Sequence, residues 1–144
     1  MKAIVSPSKI QGEVQAIASK SVAHRYLIAA ALSDREVFIQ CHSVSDDILA
    51  TVGCLQGMGA KIERKENGFL VTPIDRAKIG EEIRQLPCNE SGSTIRFLLP
   101  VVAALHIRGD FLKKGSLVTR PLKPLDEEKK KKGAPLKEKD GGIV

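Results

Sequence analysis

The chain repeats itself, and this constrains its fold more than any other feature. Arg25-Tyr26-Leu27-Ile28 returns 71 residues later as Arg96-Phe97-Leu98-Leu99, and Gly59-Ala60 returns 74 residues later as Gly133-Ala134. Each Gly-Ala pair opens a charged segment closed by an apolar one, Gly68-Phe69-Leu70-Val71 and then Gly141-Gly142-Ile143-Val144. A period of about seventy residues marks a supersecondary unit whose apolar face is covered by its neighbour. The expected fold class is α/β (α+β), built from repeated βαβαββ units. Residues 1–80 would hold an N-terminal strand plus the first unit, and 81–144 a second, incomplete unit.

Periodicity fills in the units. Lys2 to Ser6 and Val14 to Ile17 read as short strands. Ser21 to Leu32 reads as a mostly buried helix, because Val22, Leu27, Ile28, Ala30, Ala31 and Leu32 cover a wide arc, with Ser19 or Ser21 as its cap. Val37 to Gln40 reads as a strand. Ser45 caps the next helix, with Asp46 and Asp47 in its first turn, Ile48, Leu49, Val52, Leu55 and Met58 as its stripe, and Gly57 and Gly59 as its stop. Lys61 to Arg64 and Phe69 to Thr72 flank Asn67-Gly68, a hairpin signal. In the second unit, Ile83 to Asn89 leads through Ser91–Ser93 into a helix ending at Leu105, which Pro100 should kink. Lys129 to Lys132 pair with Glu127 and Glu128 as a solvated helix face.

Charge and composition exclude several functions. The formal charge is +6, but residues 1–112 carry 13 basic and 12 acidic side chains, so the excess lies after them. With no tryptophan, one tyrosine and four phenylalanines, the chain lacks a platform for stacking bases, and no nucleic-acid partner is expected. No run of about eighteen apolar residues is present, so no membrane association is expected. Cys41, Cys54 and Cys88 are odd in number and have no C-x-x-C spacing, as for reduced thiols in a cytoplasmic protein. His24, His42 and His106 have no ligand spacing with cysteine or carboxylate, so no metal is expected.

Two turns carry the chemistry. In Ala18-Ser19-Lys20-Ser21-Val22-Ala23-His24-Arg25, a helix start would present free N–H groups, with Lys20 and Ser21 on its rim and the Arg25 fork one turn along. A P-loop is excluded, since the glycines it needs are replaced by Ser19 and Val14. The second, Asn89-Glu90-Ser91-Gly92-Ser93-Thr94-Ile95-Arg96, also opens a helix, and Gly92 lets the backbone approach a ligand. Each also reads as an ordinary capped turn. Their repetition in one register suggests two converging anion sites. Asp46-Asp47 is explained by first-turn capping, with general acid or base work as the lesser reading.

Taken together, Ser19-Lys20-Ser21 with His24-Arg25 and Ala29-Ala30-Ala31-Leu32, and the stretch Asn89 to Pro100, resemble the enolpyruvyl transferases of the shikimate pathway, the EPSP synthase family. Ser45-Asp46-Asp47-Ile48, Gly57-Met58-Gly59-Ala60 and Arg120-Pro121-Leu122-Lys123-Pro124-Leu125 add to the likeness. The sister family acting on UDP-N-acetylglucosamine is the weaker match. The resemblance implies helices packed inside and sheets outside. It implies transfer of the enolpyruvyl group of phosphoenolpyruvate to shikimate 3-phosphate, without metal or organic cofactor. Lys20 would be catalytic and contact both substrates, Ser21 and Arg25 would bind shikimate 3-phosphate, and Gly92 and Arg120 would bind phosphoenolpyruvate. Against the family's two lobes of three units each, the chain reads as an N-terminal fragment, inactive without a C-terminal lobe as partner. Self-association of the fragment is a further expectation. The alternative function is a non-catalytic anion-binding or interaction module on the same scaffold.

Overall fold

A computed structural model describes residues 3–4, 6–9, 11–122, 127, 131, 138–139 and 142–143. In chain order the elements are α1 (Lys20–Ala31), β1 (Val37–Gln40), α2 (Asp46–Gly57), β2 (Lys61–Lys65), β3 (Gly68–Thr72), β4 (Ile83–Asn89), α3 (Gly92–Ala104), β5 (Arg108–Lys113), β6 (Glu138–Lys139) and β7 (Gly142–Ile143). Single 3-10 turns occur at Arg76–Lys78 and Gly115–Leu117. Among the described residues, no helix is long and apolar enough to cross a membrane.

The first sheet is antiparallel in the order β1-β3-β2, and the expected hairpin turns at Glu66-Asn67, with Gly68 opening β3 opposite Lys65. Gly68 is required there, since a Cβ would collide with the Ile39 carbonyl oxygen on β1. Strands β4 and β5 pair in parallel, the geometry that needs a crossover helix, and α3 supplies it. Lys65 pairs with Gly68 in β2-β3, and 74 residues later Lys139 pairs with Gly142 in β6-β7. That spacing equals the one between the two Gly-Ala pairs.

Helices lie inside and sheets outside. α2 packs against both α1 and α3 and is flanked by β2 and β4. Ile48, Ala50, Thr51, Val52, Cys54 and Leu55 are accordingly buried around most of its circumference. Gly53 and Gly57, one turn apart, let β4 come close: a Cβ on Gly53 would lie 3.2 Å from the Pro87 ring, and one on Gly57 would strike the Gln85 carbonyl oxygen. Leu27, Leu55, Met58, Phe69, Leu86, Ile95, Leu98 and Leu99 join the layers into one core. Burying each such side chain contributes about 1.5–3 kcal/mol.

Several expectations are corrected. Val14 to Ile17 forms no strand and lies exposed. Among the described residues no strand runs beside it to take up its backbone groups, and Ala18 N–H donates to Ser43 Oγ at 2.7 Å. Of Lys2 to Ser6, the described residues Ala3, Ile4 and Ser6 are irregular, and the others lie outside the described residues. α3 carries Pro100 inside it and ends at Ala104, one residue before the expected Leu105, which is its C-cap. β5 is unexpected because its inward positions are Gly109 and Phe111. Leu86 from β4 fills the place of the missing Gly109 side chain, so the apolar alternation is hidden. Glu127 and Lys131 are helical, whereas Glu128, Lys129, Lys130 and Lys132 of the expected solvated face lie outside the described residues.

Candidate anion site at the helix starts

Three helix starts meet, and they are finished differently. Ser45 Oγ accepts from Ile48 N–H at 3.4 Å on α2, and Ser91 Oγ accepts from Thr94 N–H at 3.3 Å on α3. Ser19 stands at the same position on α1 and makes no such bond, and Ser21 lies inside the helix. The α1 N–H groups are thus left for another acceptor, with no acidic residue in the first turn to compete for them. Ser21 is exposed at this end.

Lys20 is paired rather than merely solvated. Its Nζ lies 2.7 Å from Asp47 Oδ2 on α2. The hydrogen bond from Lys20, then one from the Ser91 hydroxyl, hold the Asp47 carboxyl below the usual carboxylate range. Asp47 therefore joins all three helix starts. It also lines two clefts, one of about 390 Å³ shared with Lys20 and Ser45 and one of about 410 Å³ shared with Asn89, Glu90, Ser91 and Lys114.

The arginines repeat each other. Arg25 Nη1 donates to Ser21 O at 3.1 Å, and Arg96 Nη1 donates to Gly92 O at 2.9 Å, each reaching back one turn. The Arg25 guanidinium lies 5.4 Å from the Phe97 ring centroid on α3, a cation–π contact. Arg120 comes to the second turn from downstream. Its Nη1 lies 3.5 Å from where a Gly92 Cβ would be, and its Nη2 donates to Ser116 Oγ at 3.2 Å. Glu90 Oε2 accepts from Ser116 N–H and Oγ–H at 3.3 and 3.2 Å, fixing that loop. Asn89, at φ 50°, takes the left-handed conformation that turns β4 into α3, which asparagine tolerates. Lys20, Ser21 and Arg25 are therefore grouped at one helix start, Gly92 and Arg120 at a second, with Asp47 between them.

A buried layer lies beneath. His24 Nδ1 is 2.7 Å from Thr51 Oγ1, which is 2.7 Å from Thr94 Oγ1, which is 2.7 Å from Ser91 Oγ. Burial pulls the His24 pKa below its ordinary value. The sequence presents Asp47 chiefly as a capping residue, names Glu90 and Thr94 only as members of the second turn, and does not single out Thr51. Periodicity treats a buried threonine on an apolar face as neutral, and only spatial pairing gives it a role.

The family model for EPSP synthase (3-phosphoshikimate 1-carboxyvinyltransferase) matches residues 4–143. The chain belongs to the EPSP synthase family. It is 42% identical over 123 residues to the 3-phosphoshikimate 1-carboxyvinyltransferase of Clostridium beijerinckii, covering 82% of this chain and 28% of that protein. To the enzyme of the same name from Clostridium perfringens it is 38% identical over 122 residues, covering 85% of this chain and 28% of the relative. The chain thus spans somewhat more than a quarter of the length of these EPSP synthases. Among solved structures, EPSP synthase from Acinetobacter baumannii superposes with a TM-score of 0.75 at 21% identity, over 92% of this chain and 31% of that one. At that identity the likeness speaks for the fold.

Proposed function

We propose that this chain provides the substrate-anion site of an enolpyruvyl transferase that moves the enolpyruvyl group of phosphoenolpyruvate onto shikimate 3-phosphate. The observation that carries this reading is the uncapped start of α1, with Lys20 and Ser21 at its mouth and Asp47 holding Lys20 in place. Shikimate 3-phosphate carries a phosphate and a carboxylate, and both suit open helix N–H groups, an ammonium and a guanidinium fork.

In this reading Ser21 and Arg25 bind shikimate 3-phosphate and Gly92 and Arg120 hold phosphoenolpyruvate. Lys20 stands between the two substrates as the catalytic cation. The 5-hydroxyl adds to C2 of phosphoenolpyruvate as a proton reaches C3, and the tetrahedral adduct then expels phosphate and loses a proton to restore the enol ether. Lys20 stabilises negative charge on the phosphate in the transition state. We read residues 1–80 and 81–144 as two units of one design, on the common 74-residue spacing of the Gly-Ala pairs and the hairpin registers. The cytoplasm is the compartment in which thiols such as Cys41, Cys54 and Cys88 stay reduced.

Titration calorimetry tests the reading. Shikimate 3-phosphate should bind with 1:1 stoichiometry and tighten when phosphoenolpyruvate is added. Absence of binding to the folded chain at millimolar ligand would overturn it.

A further inference from the structure

We propose that His24 is a positioning residue: a neutral imidazole, protonated on Nδ1, that orients a one-way chain of hydroxyl groups through Thr51 and Thr94 to Ser91, the cap of α3, in the cleft that Asp47 also lines. The inference takes its purpose from the anion-site reading above, but the proton arrangement stands on geometry of its own.

The direction follows from counting protons. Each hydroxyl has a single proton to give. Thr94 Oγ1 donates across its 2.7 Å contact with Ser91 Oγ, so the Thr94 proton is committed to Ser91. Thr94 Oγ1 must then accept from Thr51 across 2.7 Å, which commits the Thr51 proton as well. Thr51 Oγ1 is left to accept from His24, also at 2.7 Å, and only an Nδ1–H provides that donor. Thr94 Oγ1 also lies 3.3 Å from the Asp47 carbonyl oxygen, a longer and weaker alternative for its proton.

Burial makes the arrangement exclusive. His24, Thr51 and Thr94 are fully buried and Ser91 nearly so, so water does not offer replacement partners. With Nδ1 holding the proton of a neutral ring, Nε2 is bare, and it is buried without a hydrogen-bond partner among the described residues. A further proton on Nε2 would find no acceptor among the described residues and would place a charge in the core. The charged groups facing the ring are Lys20 and Arg25 from its own helix, which oppose that proton, and Asp47 from α2, which favours it. From α3 the Phe97 ring meets the imidazole edge-on at 6.0 Å and carries no charge. The relay thus ties α1, α2 and α3 together beneath the helix starts.

Long-range ¹H–¹⁵N correlation spectroscopy on the whole chain reads the proton directly. His24 should show a protonated Nδ1 and a bare Nε2, and should not titrate near the ordinary value of about 6.5. An Nε2–H tautomer, or a titration like that of a solvated histidine, would overturn the proposal whether or not the chain binds ligand. Thr51→Val removes the acceptor with little change of shape, and Thr51→Ser retains it. The valine variant should lose the Nδ1–H signature and bind shikimate 3-phosphate about two- to tenfold more weakly, with serine restoring both. An unchanged tautomer in folded Thr51→Val would refute the relay. Should that variant not fold, the wild-type tautomer decides the question.

Discussion

Lys20 Nζ and Asp47 Oδ2 lie 2.7 Å apart, joining the first turn of α1 to the first turn of α2 across 27 residues of chain. Side-chain exposure is 48% for Lys20 and 31% for Asp47, so water screens the bond and its contribution to stability is small. What it does is set where an ammonium stands at an uncapped helix start.

That screening gives the first prediction. Asp47→Asn should lower unfolding stability in urea at pH 7 by less than about 1 kcal/mol. The Asp47 pKa is depressed, so its contribution is present above the unfolded carboxyl value and fades as pH falls through the folded one. Wild type and variant should converge in acid. A loss several times larger, or one independent of pH, would show that the pair does more than orient Lys20.

His24 gives a second pH signature at higher pH. Its folded pKa is lowered, so the unfolded chain takes up the proton first as pH falls through about 6.5. Stability from the neutral ring is complete above that value and declines below it, until the folded pKa is reached. Urea titrations between pH 8 and pH 5 should show this slope in wild type and lose it in His24→Gln. Parallel curves would contradict it.

Much of the fold was legible because each element carried a local signal. Ser45 caps α2, Asn67-Gly68 marks the first hairpin, whose turn is Glu66-Asn67, and Leu27, Ala30 and Ala31 of the expected α1 arc lie in the core, though Val22 is exposed. The failures have physical causes. Val14 to Ile17 has strand composition but no neighbouring strand among the described residues, and Gly109 hides an inward strand position filled by Leu86. At the site, Lys20, Ser21, Arg25 and Gly92 were marked by their place at helix starts. The Asp47 ion pair and the Thr51–Thr94 contact depend on segments 27 and 43 residues apart, which no local pattern encodes.

Two glycines should respond in opposite ways. A Cβ on Gly57 meets the rigid Gln85 backbone, so Gly57→Ala should cost about 1–3 kcal/mol, read as a lowered midpoint in urea. A Cβ on Gly92 would lie 2.6 Å from Arg96 Nη1, the movable end of a side chain, and 3.5 Å from Arg120 Nη1. Gly92→Ala should keep stability within about 1 kcal/mol of wild type, because the gain in helix propensity offsets the displaced arginine. Phosphoenolpyruvate binding should weaken by about tenfold, or 1.4 kcal/mol. Equal effects of both substitutions on stability would contradict the packing described.

The thiols should be inert in the folded chain. Cys41, Cys54 and Cys88 are buried, and the Cys54 thiol is pushed up by its hydrogen bond with Cys88, 3.7 Å away, and by burial. The nucleophilic thiolate is thereby suppressed. Iodoacetamide labelling followed by mass spectrometry should find all three unmodified until denaturant is added. Rapid native labelling of Cys54 or Cys88 would show that α2 and β4 separate readily.

The central claim is that the open start of α1 binds the phosphorylated substrate through Lys20 and Arg25. Calorimetric titration of shikimate 3-phosphate into wild type, Lys20→Ala and Arg25→Ala tests it most directly. Each substitution removes a charge-assisted contact worth about 1.5–3 kcal/mol, so affinity should fall by roughly ten- to a hundredfold in each while the chain stays folded. Binding of undiminished strength in both variants would place the ligand elsewhere and contradict the account.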